Sequence, residues 1–453
     1  MHAFVAFSFL AGAFAGVITP LAIGHNATQT NDVHYAAQAE HLVEYLVAGN
    51  FAAVEDRFEE QMAKDLPKEK LSALWKEFTA QAGPFERIVT KEATTEFGVY
   101  HAVAMTCAFQ RAKQANALVV FGEGERVVGL YFGPQPTDRV EGWTTPPYAH
   151  PERFREEAVV VARGPWQLPG TLTLPKGSGP FPAVVLVPGS PPLDQDATAG
   201  ASKLFKDIAW GLASRGIAVL RYTKRAHQFG AGLGGGNGSS FTLRDELIDD
   251  ARAALALLAA RSDIDPQQTY LLGHSLGGLA VPQIAAEDPR IAGIVVMGTP
   301  SGDLLNALLS RLASGQMGEA GYKMVPVFKQ VQKGDLPPGE ILDFFGNRSP
   351  VGYWLDMRKY QPGATAAKLK CRVMVLVGGH DAEVPPDNFE GWQSALAGRT
   401  NANVKFYPAL FHLFMPSTAA EKGKDSPDDW ARPGHVAPEV VDDIASWIKS
   451  KSG

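Results

Sequence analysis

Cysteine is scarce in this chain. Cys107 and Cys371 are the only two in 453 residues, too few for a disulfide framework or a metal centre of four thiolates. Two separately buried free thiols are expected, with a single bridge as the alternative. Basic charge is short too: 42 Lys and Arg stand against 48 Asp and Glu, a net charge of -6, and no block of five or six like charges occurs. A nucleic-acid binder needs a concentrated basic face to displace counterions from phosphates, so that class drops out. The histidines never fall into an H-E-x-x-H or similar spacing, which leaves no signature of a catalytic metal. There is no internal repeat, and no low-complexity segment beyond the glycine run 230–238. What is present is an enzyme-sized globular composition, 45% hydrophobic and 20% charged, able to fill two or three domain cores.

Lys and Arg are also missing at the N-terminus, which has only His2 and the terminal amine. Residues 3–23 (AFVAFSFLAGAFAGVITPLAI) are apolar apart from Ser8, Thr19 and the small residues, and Ala22-Ile23-Gly24 closes the run. Residues 1–24 therefore read as a signal peptide cleaved after Gly24 or near Ala15, and the protein as exported, periplasmic or secreted. Without Lys or Arg before the run, an uncleaved membrane anchor is the alternative, because the run is about long enough to span a bilayer.

From 32 to 132 helices precede strands. Leu42, Tyr45 and Leu46 make a helical stripe that stops at Gly49, and Pro67 opens a second helix bearing Leu71, Leu74, Trp75 and Phe78. The period then falls to two: Val103, Met105, Cys107 and Phe109 alternate with polar or small residues, and Gly122-Glu123-Gly124-Glu125 signals a hairpin. Helices on one face of an antiparallel sheet, an α+β domain, follow from this order. The segment resembles the small cystatin-like, nuclear-transport-factor-like domains that precede hydrolase domains in some exported bacterial proteins. His101 and Glu123 can be nominated for chemistry there, but ordinary strand-end or surface roles are the better reading. Residues 133–155, rich in proline and polar groups, read as a linker.

The remainder, 156–453, alternates strand and helix. EAVVVA and GTLTLP suggest an antiparallel pair, and AVVLVPG is the continuous apolar run of a strand buried on both faces. A helix bearing Leu204, Ile208 and Leu212 follows. Thr242 with Asp245 opens another, whose stripe is Leu243, Leu247, Ala254, Leu255 and Leu258. The alternation implies an α/β fold, a mostly parallel sheet with helices on both faces. It breaks off at about 301–366, read as a helical cap inserted between two strands, and resumes with RVMVLVGG and VKFYP.

Gly273-His274-Ser275-Leu276-Gly277 has the form G-x-S-x-G between an apolar strand and a small-residue helix. A strand that reverses into a helix at one residue strains that residue, and side chains two positions either side would collide, hence the glycines. The turn lifts the Ser275 hydroxyl above the sheet at a helix N-terminus. A serine nucleophile needs a base, and the base an orienting acid, on loops at the carboxyl ends of later strands. Asp381 follows RVMVLVGG and His412 follows VKFYP, so these two are the candidates, ahead of Glu383, His380 and His435. The oxyanion donors expected are the backbone N–H of Leu276 and that of Ser190 in Pro188-Gly189-Ser190-Pro191-Pro192, where proline cannot donate. Asp194 and Asp196 should fix this loop by hydrogen bonds to its backbone. Gly230 to Gly235 formally fits G-x-G-x-x-G, but it does not sit between a strand and its helix, and a loop near the active site is the better reading. Phe344, Phe345, Tyr353 and Trp354 either line a pocket or pack the cap.

Residues 156–450 resemble the α/β-hydrolase superfamily, since GHSLGG, the PGS loop, GGHDAEVP and LFHLF match its nucleophile, oxyanion, acid and base elements in order. The resemblance implies an acyl-enzyme on Ser275 hydrolysed by water that His412 activates, and the elbow is similar to those of esterases and lipases. It implies a small-molecule ester substrate and no cofactor; the histidine spacing adds no metal, the charge balance no nucleic acid, and the apolar N-terminal run membrane contact only through an anchor, with self-association left open. A peptidase or acyltransferase with the same triad, or a non-catalytic binding protein, are the alternatives.

Overall fold

The change of period near residue 85 is where the first part of the chain passes from helix to sheet. In the computed structural model the chain divides into two units, Met1–Glu141 and Gly142–Gly453. The structure describes residues 4–7, 29–91, 95–97, 100–111, 113–134, 143–164, 166–190, 192–229, 241–314, 317–344, 347–384, 387–421, 423–426, 429–430 and 432–450. Most of the segment read as a signal peptide, the 230–238 glycine run and Phe345 lie outside these residues.

The first unit begins with strand β1 (Phe4–Phe7) and four helices, α1 (Gln29–Val47), α2 (Phe51–Glu55), α3 (Glu60–Asp65) and α4 (Lys68–Ala82). Strands β2 (Phe85–Lys91), β3 (Thr95–Phe97), β4 (Tyr100–Phe109), β5 (Lys113–Phe121) and β6 (Val127–Pro134) follow. β2, β4, β5 and β6 pair antiparallel in turn, and β1 lies parallel on β6. The α1 stripe runs through Ala39, Leu42, Val43 and Leu46, the i, i+3, i+4, i+7 set, so Tyr45 falls off the face and is 40% exposed. Val103, Met105, Cys107 and Phe109 all point into the core as the alternation requires, where Phe78 meets Phe109 edge-on at 5.2 Å. Both cysteines are free, and burial pushes the Cys107 thiol up to about 12. His101 stacks on Tyr35 at 4.0 Å.

The second unit is built on eight strands in the order β18-β17-β14-β13-β9-β12-β8-β7. These are β7 (Phe154–Arg163), β8 (Trp166–Pro175), β9 (Phe181–Val187), β12 (Ala218–Tyr222), β13 (Ile264–His274), β14 (Gly293–Met297), β17 (Arg372–Gly378) and β18 (Ala402–Tyr407). β7 and β8 are antiparallel and β8 meets β12 antiparallel; the other pairs are parallel. Two-residue strands β10 (Thr198–Ala199) and β11 (Ser202–Lys203) form a small ribbon after β9. The run AVVLV is apolar throughout because its neighbours face opposite ways. Ala183, Val185 and Val187 join one core with Leu247, Leu258 and Leu279, from helices α7 (Asp249–Ala259) and α8 (Leu276–Glu287) and the π-turn Arg244–Ile248. Val184 and Leu186 join another with Leu204, Ile208 and Leu212 of α5 (Leu204–Ala213) and with Ile444 of the final helix, Pro438–Lys449. A short helix, α6 (Arg225–Phe229), follows β12.

Between β14 and β17 the chain leaves the sheet to form the cap: α9 (Leu304–Ala313), α10 (Gly318–Lys333), β15 (Ile341–Phe344), β16 (Asn347–Pro350), α11 (Val351–Met357) and α12 (Pro362–Ala366). The antiparallel β15–β16 ribbon is an addition to the helical cap the sequence suggested. Its strands are four residues long and NRSP carries no alternation, so nothing periodic announces it. Helix α13 (Asn388–Ala395) links β17 to β18. Part of the stretch read as linker is packed: Trp143 meets Trp210 edge-on at 4.8 Å and donates its indole N–H to Asp207 at 2.6 Å.

Candidate active site

Parallel strands that start on one side of a sheet all end on the other, so the loops after β9, β13, β17 and β18 gather at one edge. Ser275 stands between β13 and α8 with φ 54° and ψ -120°, a conformation that side chains rarely adopt. Its N–H donates to the Met297 carbonyl at 2.9 Å, and its carbonyl accepts from Gly278 N–H and Thr299 Oγ1–H, each at 2.9 Å. Although Ser275 occupies the N-cap position of α8, its hydroxyl makes no capping bond. The flanking glycines are there for space. A Cβ on Gly273 would lie 2.3 Å from the Gly277 carbonyl oxygen, and one on Gly277 would lie 2.1 Å from that of Val187.

Asp381 and His412 come together as the sequence suggested. His412 Nδ1–H donates to Asp381 Oδ2 at 2.9 Å, and Asp381 Oδ1 accepts the backbone N–H groups of Glu383 and Val384, each at 2.8 Å. Both side chains are buried. Gly298 (φ 59°) passes so close beneath the pair that a Cβ there would sit 3.3 Å from His412 Nδ1. The proton on Nδ1 leaves the Nε2 lone pair for base work. Among the described residues Ser275 Oγ makes no hydrogen bond to that nitrogen. Nε2 instead lies 3.6 Å from Glu383 Oε2, and Glu383 is joined to the cap by Arg311 Nη2 at 3.4 Å.

Two contacts here go beyond the sequence expectation. Glu383, placed behind Asp381 as the acid, faces His412 from the opposite side to Asp381, and His274, next to the serine, donates its Nε2–H to the His412 carbonyl at 2.9 Å. Burial holds the His274 pKa down at about 3, with the His412 charge adding to it, so His274 stays neutral and keeps this role across the working pH range. For His412 burial acts downward as well, but the charges of Asp381 and Glu383 outweigh it and raise the pKa to about 9. A base must be neutral to accept a proton, so activity should rise with pH through the titration of His412. Glu383→Gln removes one of the two anions, and the acid limb of the kcat/KM profile is expected to move to lower pH. An unmoved limb would show that Glu383 does not act on the histidine.

After β9 the chain runs Pro188-Gly189-Ser190 beside Ser275: a Cβ on Gly189 would lie 3.0 Å from Ser275 Cβ. The Gly189 carbonyl accepts from Lys224 Nζ at 2.9 Å. As the first residue of α8, Leu276 has an N–H with no intrahelical acceptor. Asp194 holds the following turn through the Thr198 N–H and hydroxyl, as expected, whereas Asp196 binds the side chains of Lys203 and Arg221 rather than backbone. His435 is engaged elsewhere, by Asp207 at 3.2 Å, and His380 by the Lys424 carbonyl at 3.2 Å. Phe344 and Trp354 pack with Phe328 as the cap's own core, while Tyr353 bonds Glu246. Among the described residues no group of three His, Cys, Asp or Glu is arranged to hold a metal ion.

The chain is 33% identical over 411 residues to Esterase EstD of Thermotoga maritima, covering 90% of this chain and 93% of that one. Among solved structures, Est1E from Butyrivibrio proteoclasticus is 16% identical with a TM-score of 0.43, over 65% of this chain and 99% of its own. Residues 39–130 match a family described only as a protein of unknown function, DUF3887. Residues 184–434, more than half of the chain and the stretch that carries Ser275, Asp381 and His412, match the alpha/beta hydrolase family, and to that family the chain belongs.

Proposed function

We propose that the protein is a carboxylic ester hydrolase that works through an acyl-enzyme on Ser275, with His412 as base and Asp381 as its orienting acid. The observation that carries the reading is the buried Asp381–His412 bond of 2.9 Å, joined through the His412 carbonyl to His274, the neighbour of a serine held at φ 54°. The relation to a protein named as an esterase supports the ester as substrate class.

In this mechanism His412 Nε2 turns from Glu383 to the Ser275 hydroxyl and takes its proton as Oγ attacks the ester carbonyl carbon. The oxyanion that forms is met by the N–H groups of Leu276 and Ser190. Collapse breaks the bond to the alkoxy group, which leaves as the alcohol with the proton from His412. Water then gives a proton to His412, attacks the acyl carbon and releases the acid, and the proton returns to Ser275. Asp381 stabilises the imidazolium in both halves.

A p-nitrophenyl ester series, acetate through octanoate, tests the reading. Expected are a burst approaching one nitrophenolate per chain and an acyl mass on the peptide containing Ser275. Turnover without such an adduct would overturn the acyl-enzyme, faster cleavage of a peptide amide would favour a peptidase, transfer of the acyl group to an added alcohol in preference to water an acyltransferase, and an inert protein a binding role. We also read residues 1–24 as an export signal on the strength of their apolar run; a mature N-terminus at residue 25, or near 16, supports cleavage, and an intact Met1 in the membrane fraction supports the anchor.

A further inference from the structure

Lys224 is the least expected charge in the second unit. It lies two residues beyond β12 and its side chain is 1% exposed. The ammonium donates to the Gly189 carbonyl at 2.9 Å and pairs with Glu246 Oε1 at 2.5 Å. Glu246 is 10% exposed, sits on the π-turn Arg244–Ile248, and accepts from the Tyr353 hydroxyl of the cap on its other oxygen. An irregular turn of this kind spends backbone geometry on aiming a side chain inward. Stability is a poor explanation for the pair, because desolvating two charges costs about what their attraction returns and apolar replacements of the same volume are often as stable.

What the pair does hold is one peptide group. The Gly189 carbonyl and the Ser190 N–H belong to the same planar trans unit and point in opposite directions. Fixing the carbonyl on Lys224 therefore fixes the N–H, which has no acceptor among the described residues. Gly189 itself is pressed against the nucleophile, 3.0 Å from a would-be Cβ to both Ser275 Cβ and the His274 carbonyl oxygen. A cation on the carbonyl also draws electron density through the peptide and makes its N–H a stronger donor.

We propose that Lys224, clamped by Glu246 and the cap residue Tyr353, is a positioning residue that orients and polarises the Gly189–Ser190 peptide for the oxyanion. The proposal rests on the reading of Ser190 N–H as an oxyanion donor. It also ties the donor's aim to the seating of the cap, since Tyr353 belongs to α11.

Lys224→Met keeps most of the stem and removes the charge. On a p-nitrophenyl ester it is expected to lower kcat about 10- to 100-fold with KM within about twofold, less than loss of a whole oxyanion donor. Affinity for a trifluoromethyl ketone of the same acyl length, whose adduct places an oxyanion in the hole, should fall in parallel. Because this change leaves Glu246 without its cation, the neutral pair Lys224→Met/Glu246→Gln is measured beside it and should show the same losses. Tyr353→Phe, which alters no charge, should lower kcat and ketone affinity together by several-fold. Folded variants with unchanged kcat, or with a raised KM and unchanged ketone affinity, overturn the proposal, as does an unaffected Tyr353→Phe if the lysine variants do not fold. Ser190→Pro, which removes the N–H together with the hydroxyl, is measured beside Ser190→Ala, which removes the hydroxyl and keeps the N–H, and the difference between them separates the two readings. A large loss in Ser190→Pro relative to Ser190→Ala beside unaffected Lys224 and Tyr353 variants overturns the role of Lys224 alone, and full activity in Ser190→Pro overturns the Ser190 donor itself.

Discussion

Ser275→Gly should lose activity by about 10⁴- to 10⁶-fold and yet be the more stable protein. At φ 54° and ψ -120° a serine carries strain on the order of 1–3 kcal/mol that a glycine does not feel. The hydroxyl contributes no capping bond to offset it. The backbone bonds to Met297, Gly278 and Thr299 remain in the variant, because none uses the side chain. After the extra chain entropy of glycine is subtracted, a net gain of about 1 kcal/mol and about 2 °C in Tm is expected. Ser275→Ala should be equally inactive without the gain. A less stable Ser275→Gly would mean that the hydroxyl supports the fold, and retained activity would end the case for the nucleophile.

Asp381→Asn is expected to lower kcat about 10³- to 10⁴-fold with the fold intact. Asp381 Oδ1 receives two backbone N–H groups at 2.8 Å, so the amide must keep its oxygen there, because turning it over would leave two buried donors facing an NH₂. The NH₂ then faces His412 Nδ1, which must become an acceptor. The ring proton moves to Nε2, and the nitrogen that should take the serine proton already carries one. Circular dichroism unchanged beside a collapsed kcat is the expected pair of results. A loss under about tenfold would mean that Asp381 does not set the His412 tautomer; the Glu383→Gln variant, at the Nε2 side, is expected to move the pH profile rather than to abolish turnover.

The backbone of this reading was legible because each element carried its reason in its own residues. AVVLV could only be a strand covered on both faces, and its alternate residues do enter two different cores. G-x-S-x-G announced a reversal with no room for side chains, and the approaches of 2.1 and 2.3 Å at Gly277 and Gly273 are that lack of room. Asp381 and His412 are marked by position along the chain, each lying just beyond a later strand. Tyr45 lies off the buried face because a stripe of three residues does not fix the phase of a helix, and the β15–β16 ribbon has no sequence signal because four-residue strands have too few residues to show a period.

The sequence by itself determined an α/β sheet preceded by an α+β segment, a serine at a strand-to-helix turn, and the order in which serine, acid and histidine follow one another. These depend on periodicity and on glycine spacing, which are local. Only the tertiary structure decided which second groups meet the machinery: Glu383 opposite His412 Nε2, His274 on the His412 carbonyl, and Lys224 on the Gly189 carbonyl with Tyr353 of the cap behind it. Those contacts join residues far apart in sequence, or turn a side chain one way rather than another. No periodicity encodes them, because they are settled by which strand ends lie side by side and by where a buried charge can find its partner.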